Sequence, residues 1–197
     1  MSKISVRNMA YLGLYVSIIM LLTFVPNTGY INIGPIAIAL IFSVILVMTY
    51  HLGLLGIMVG CLTIGVLSYI GSLVFGAILF SLPDVAIVPR VLIFIPLALF
   101  YVFVIKKTGP KYWINFIFGA LIAFSNTFFV SAYLQFRNSV TEYGTIHKIV
   151  GDIKTWIILI WVNALVEFLA IGFVGALLTP VCAFLWNKNK AKEPTYA

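Results

Sequence analysis

Between Arg7 and Asp84 the chain carries no Asp, Glu, Lys or Arg. A water-facing helix or sheet needs a polar face, and a run of that length without a charge does not supply one. Lipid is the solvent that tolerates it. In lipid every backbone N–H and C=O must be bonded within the protein, which leaves helices or a closed barrel. Barrel strands would show as alternating segments of ~10 residues, whereas the apolar runs here are long and continuous. An all-α integral membrane protein is therefore expected. Composition agrees, with 63% hydrophobic and 9% charged residues, where soluble domains carry about 25% charge.

One domain of six transmembrane helices is predicted over residues 1–197, with spans at about 6–25, 36–50, 54–75, 90–105, 113–136 and 155–186. Lys3 and Arg7 precede the first span, but Pro26-Asn27-Thr28-Gly29-Tyr30 follows it and offers no small-residue cleavage pattern, so an uncleaved helix is expected. Pro26 to Pro35 reads as an uncharged loop and Gly76 to Pro89 as a second one, turning at Pro83-Asp84. The last span would reach nearly ~50 Å, more than a ~30 Å hydrocarbon core, so a bend at Thr179-Pro180 is expected. Residues 187–197 read as a polar cytoplasmic tail.

The net charge of +7 fits membrane orientation better than a nucleic-acid partner. With both termini in the cytoplasm, the inner set is Lys3, Arg7, Lys106, Lys107, Lys111, Lys188, Lys190 and Lys192, against Arg90, Arg137, Lys148 and Lys154 outside. The excess obeys the positive-inside rule, and Trp113, Trp156 and Trp186 fall where interface anchors belong. The plasma membrane of a prokaryote is the expected location.

Polar residues inside a membrane are costly and so point to function. Arg90 lies ~22 Å above the inner end of its helix, Asn126 ~20 Å above the inner end of the next, and Asn163 ~10 Å below the outer end of the last. In a ~30 Å core these heights agree to within a turn. Glu167 sits one turn deeper on the face of Asn163. A single Asn is more often interhelical glue than a ligand group; three polar groups at one depth shift that balance. Arg90 has three readings: snorkelling outward, pairing with Glu167, or holding the carboxylate of a bound anion with its bidentate fork.

Small residues repeat at four-residue spacing in Gly13/Ser17, Gly56/Gly60 and Gly172/Ala176, a pattern that lets helices approach closely. The two cysteines, Cys61 and Cys182, lie in apolar runs and read as packed thiols. No metal-ligand spacing, serine-hydrolase elbow or phosphate-cradling loop is present. His51 and His147 sit at a turn and in a loop. Neither an enzyme nor a cofactor or metal is expected, and any ATP would be hydrolysed on another chain.

Leu22-Thr23-Phe24-Val25-Pro26, Gly29-Tyr30-Ile31, Gly34-Pro35-Ile36, Pro89-Arg90, Asn126-Thr127 and Asn163-Ala164 with Glu167 together resemble the substrate-binding S components of energy-coupling factor (ECF) vitamin transporters. The resemblance covers essentially the whole chain and is greatest to the pantothenate-type branch. It implies a six-helix S-component-like bundle and a vitamin site opening outward under the loop joining helices 1 and 2, lined by helices 4 to 6. It also implies a membrane coupling subunit (T component) and two cytoplasmic ATPases as partners. On that reading Arg90 holds a carboxylate, Asn126 and Asn163 bond amide and hydroxyl groups, Tyr30 and Asn32 close over the ligand, and Glu167 orients Arg90 or Asn163. The family's AxxxA contact on helix 1 is not strict here: Ala10 is followed by Leu14, and Gly13-xxx-Ser17 is the alternative docking pattern. Phe42-Ser43-Val44 stands where the pantothenate branch has a His-Ile-Pro-like segment. Competing expectations are another vitamin, of pyridoxine or hydroxymethylpyrimidine type, and a self-contained secondary transporter with Glu167 as its ion site.

Overall fold

The computed structural model describes residues 6–33, 36–77, 80–140 and 153–190. Helix α1 spans Val6–Phe24 and ends before the Pro26 turn, where Asn27 takes a left-handed φ of 60°. Two short strands follow, β1 (Tyr30–Ile33) and β2 (Ile36–Ala39), paired antiparallel with Tyr30 opposite Ala39 and Asn32 opposite Ala37. This hairpin is a local departure in a chain that is otherwise helical, as expected, and it corrects the start of the second span. Ile-Ala-Ile-Ala alternates with period 2, but a four-residue apolar segment running into a longer one reads equally well as helix.

Helix α2 is therefore confined to Phe42–Leu52. At ~16 Å it is too short to cross a ~30 Å core unaided. Gly53, at φ 62°, turns the chain directly into α3 (Leu54–Phe75). Helix α4 runs from Pro83 to Thr108, two turns earlier than expected. Pro83 at its first position and Asp84 in its first turn form a helix start rather than a turn, because the missing N–H costs nothing there and the carboxylate meets the positive dipole end. The helix is interrupted at Ile93 and relaxes to a π turn over Tyr101–Ile105. Pro96 leaves the Leu92 carbonyl without its usual donor, which accounts for the first irregularity.

Helix α5 covers Tyr112–Val140 and α6 covers Ile153–Leu177. The expected bend falls at Leu178, and α7 (Thr179–Lys190) continues beyond it. The segment 187–190 expected in the tail is thus helical, and 191–197 lies outside the described residues. Among the described residues, five helices are long and apolar enough to cross a membrane, and α2 is a shorter apolar helix. Exposed Leu14, Leu73, Phe103, Phe173 and Leu177 give the bundle an apolar exterior that suits lipid. The chain is a multi-pass helical membrane protein.

The most extensive helix pair is α5 with α6. Gly119 and Gly175 make it possible: a Cβ on Gly119 would run into the Ile171 carbonyl, and one on Gly175 into that of Asn115. At the opposite extreme, α1 packs on α3 and α2 and buries only Tyr15 and Ile19. One end of the bundle carries the hairpin, Asp84 and Arg137. The other carries Arg7, Lys106, Lys107 and Lys188.

Candidate functional site

Arg90 sits in α4 behind Pro89, and the two are linked by backbone chemistry. Pro89 has no N–H, so the Val85 carbonyl lacks its helical donor. The Arg90 guanidinium supplies one, Nη1 donating to Val85 O at 3.2 Å. Gly65 of α3 faces this point, where a Cβ would stand 3.3 Å from Arg90 Cβ. That close approach seals the side chain, leaving Arg90 6% exposed. Its Cζ lies 4.3 Å from the centre of the Phe80 ring. Phe80 is pinned in turn by its own carbonyl, which accepts from the Ser72 hydroxyl at 2.7 Å. Arg90 Nε has no hydrogen-bond partner within the protein.

The guanidinium borders a cavity of about 240 Å³, lined also by Thr23 of α1, Tyr30 of β1, Ser68 and Ser72 of α3, and Phe80. Tyr30 of β1 and Ser68 of α3 both line it, so the hairpin forms part of the cavity wall. Four hydroxyls, an aromatic ring and one cation therefore border a space of small-molecule size.

Glu167, 4% exposed, points to the hairpin from α6. Its Oε1 accepts the Ala39 N–H at 3.2 Å, and its Oε2 accepts the Thr127 hydroxyl of α5 at 3.4 Å. One turn earlier, Asn163 Oδ1 accepts the Ala37 N–H at 2.7 Å. Ala37 and Ala39 project their N–H groups to the same side of β2, and two α6 side chains one turn apart meet them, matching the strand's two-residue repeat to the helical turn. No ion pair joins Arg90 and Glu167; among the described residues, the ion pair at this end is Arg137 with Asp84, at 3.5 Å.

Of the expected site residues, Arg90 and Tyr30 thus share a cavity, while Asn163 and Glu167 act on the hairpin backbone beside it. Asn126 lies on α5, one residue from Thr127, with a buried Oδ1 that has no partner. It does not line the Arg90 cavity. Asn32 pairs with Ala37 through its backbone position in β1, and its side chain lies outside the described residues. The cavity is walled by α1, the hairpin, α3 and α4, where helices 4 to 6 were expected. A further cavity of about 360 Å³ does lie between α5 and α6, lined by Phe124, Phe128, Trp156 and Trp161 among others, and holds none of the expected residues.

Sequence reasoning missed Ser68 and Phe80, and named Thr127 only beside Asn126, without a role. Ser68 is a single hydroxyl in an apolar helix, with no pattern to mark it. The fold and site together define a multi-pass helical membrane protein with a buried, incompletely bonded cation beside a small, largely apolar cavity. No protein-family model matches the chain, and no curated protein matches it.

Proposed function

We propose that this chain is the substrate-binding S component of an ECF-type vitamin importer and that its ligand is a small carboxylate, pantothenate being the first candidate. The observation that carries this reading is Arg90, a buried guanidinium with an unused Nε beside a cavity of about 240 Å³. An unpaired charge at such depth costs several kcal/mol, and a ligand carboxylate removes that cost while using the fork of donors that suits it. The volume lies below the ~300–1,000 Å³ usual for drug-sized ligands, which favours a compact metabolite. Asn126 and Asn163 lie outside the lining of this cavity, so on this reading the hydroxyls of Thr23, Tyr30, Ser68 and Ser72 meet the ligand's polar groups. Tyr30 and Asn32 on the hairpin are the lid.

On this reading β2 and α2 together complete a sixth crossing, both termini and the loop at Lys106–Lys111 are cytoplasmic, and the polar stretch from Arg137 to Lys154 is outside. ATP hydrolysis belongs to two partner ATPases, reached through a membrane coupling subunit. The exposed face of α1 supports a docking role: Ala10, Gly13 and Ser17 are all exposed, and nothing lies within 4 Å of a Cβ placed on Gly13. The deciding experiment is mass spectrometry of the small molecule and the proteins that copurify with the chain. A carboxylate vitamin and ATPase subunits are expected. Gradient-driven uptake by the chain alone in sealed vesicles, without partners, would replace this reading with a secondary transporter.

A further inference from the structure

The basic end of the bundle holds a third cavity, of about 450 Å³, at the opposite end of the bundle from Arg90. Its lining includes Arg7 and Asn8 from the start of α1, His51 from the end of α2, Tyr101 and Lys106 from the end of α4, and Asn189 from α7. The walls are built rather than accidental. Asn189 Nδ2 donates to the His51 carbonyl at 2.6 Å, docking the end of α7 on the last turn of α2. His51 Nδ1 and the Tyr15 hydroxyl are hydrogen-bonded at 2.8 Å, and the Tyr11 ring lies 4.3 Å from the imidazole, fixing α1 against the same turn. These contacts bring Arg7 and Lys106 to one cavity from opposite halves of the sequence.

The described carboxylates are Asp84 and Glu167. Asp84 is at the first turn of α4 and Lys106 at its last, so the two are separated by the length of the span. Glu167 is committed to the hairpin. Among the described residues, then, no carboxylate neutralises Arg7 and Lys106. Just beyond them the same helices expose Val6, Met9, Val102 and Phe103. A polar cavity with two cations at its rim and lipid-facing side chains directly beside it stands where a bilayer places its phosphates.

We infer that this cavity is a binding site for the phosphate group of an anionic phospholipid. Arg7 and Lys106 hold the phosphate oxygens, Asn8 and Tyr101 offer neutral hydrogen-bonding groups to the rest of the headgroup, and the acyl chains lie along the exposed apolar side chains of α1 and α4. The assignment does not depend on the vitamin reading, since it uses none of the residues around Arg90.

The test uses the full chain in detergent, titrated with short-chain phosphatidylglycerol or phosphatidylcholine and read by native mass spectrometry. Phosphatidylglycerol should bind at least ~10-fold more tightly than phosphatidylcholine. Arg7→Gln and Lys106→Gln should each weaken it by ~5-fold and the double variant by ~25-fold, as expected for one interfacial cation apiece. Arg7→Lys should retain most of the binding. Lys107→Gln and Lys188→Gln, which remove cations at the same end but outside the cavity lining, should change it by less than ~2-fold. Equal losses in those controls would show a diffuse surface charge and overturn the site. Displacement of the lipid by millimolar inorganic phosphate would assign the cavity to a free anion and overturn the lipid. Unchanged melting temperatures in the Gln variants are the expected sign that the fold is intact, and a retained lipid with both cations removed would refute the inference outright.

Discussion

Each half of the bundle buries a polar system, and the two are completed to different degrees. Toward the basic end, the Tyr50 hydroxyl of α2 donates to Asn115 Oδ1 of α5, and Asn115 Nδ2 donates to Thr179 Oγ1 of α7 at 2.9 Å. All three residues are buried, and the chain of donors and acceptors closes. Toward the hairpin end, Arg90 Nε and Asn126 Oδ1 are buried with no partner, although Glu167 and Thr127 at the same end are hydrogen-bonded. A satisfied network holds helices in register and has nothing left to offer a ligand. An unsatisfied one keeps a cost that a ligand can remove. The difference separates the part of the molecule that stabilises it from the part available for binding.

The largest effect should come from removing the charge in the incomplete system. Arg90→Ala is expected to weaken binding of a carboxylate ligand by ~2–5 kcal/mol, and Arg90→Lys by less, since Lys lacks the fork. A ligand analogue with its carboxylate reduced to an alcohol should lose affinity for the native chain but little for Arg90→Ala, as measured by isothermal titration. An equal loss on both would make Arg90 a structural residue and erase the contrast. The complementary change is Asn115→Leu, which leaves the Tyr50 hydroxyl and Thr179 unpaired. It should cost ~1–3 kcal/mol of stability in thermal unfolding while leaving ligand affinity unchanged.

The sequence made the hairpin-end system easier to find than the basic-end one, for physical reasons. Arg90, Asn163 and Glu167 stand in long apolar runs, where the cost of burial marks them. Asn115 lies two residues from Trp113, so its place near the predicted helix end hid the fact that it is wholly buried. The long spans were legible because length and apolarity suffice to indicate a helix in lipid. The hairpin was not, because Ile36–Ala39 merges into the α2 run, and the start of α4 was not, because Pro83-Asp84 signals both a turn and a helix start. The register in which Asn163 and Glu167 meet Ala37 and Ala39 depends on the strand and could not be read without it.

That register provides a smaller, local test of the contrast. Asn163→Ala removes one of two side-chain acceptors for β2, a loss of ~0.5–1.5 kcal/mol. Hydrogen exchange at the Ala37 amide should rise by ~2–10-fold, with the Tyr50–Asn115–Thr179 region unaffected. Exchange that rises equally across both regions would mean that the two systems open as one unit.

The smallest effect on the isolated chain is expected where neither system reaches, on the outer face of α1. Gly119 and Gly175 admit no side chain between α5 and α6, but a side chain on Gly13 would meet open space, and the Ser17 hydroxyl is satisfied within its own helix by Gly13 O at 2.9 Å. Replacing Gly13 and Ser17 together with Leu fills nothing internal and breaks no bond between helices. Stability should therefore move by no more than ~0.5 kcal/mol, and ligand affinity should hold. What should change is assembly, because small residues at four-residue spacing let a partner helix approach closely and two Leu side chains would hold it away. Copurification of the double variant with its membrane partner should fall while the chain remains folded and competent to bind. Loss of ligand binding in the same variant would instead tie α1 to the pocket through Thr23, which lines the Arg90 cavity from the same helix. Unchanged assembly would move the docking face elsewhere.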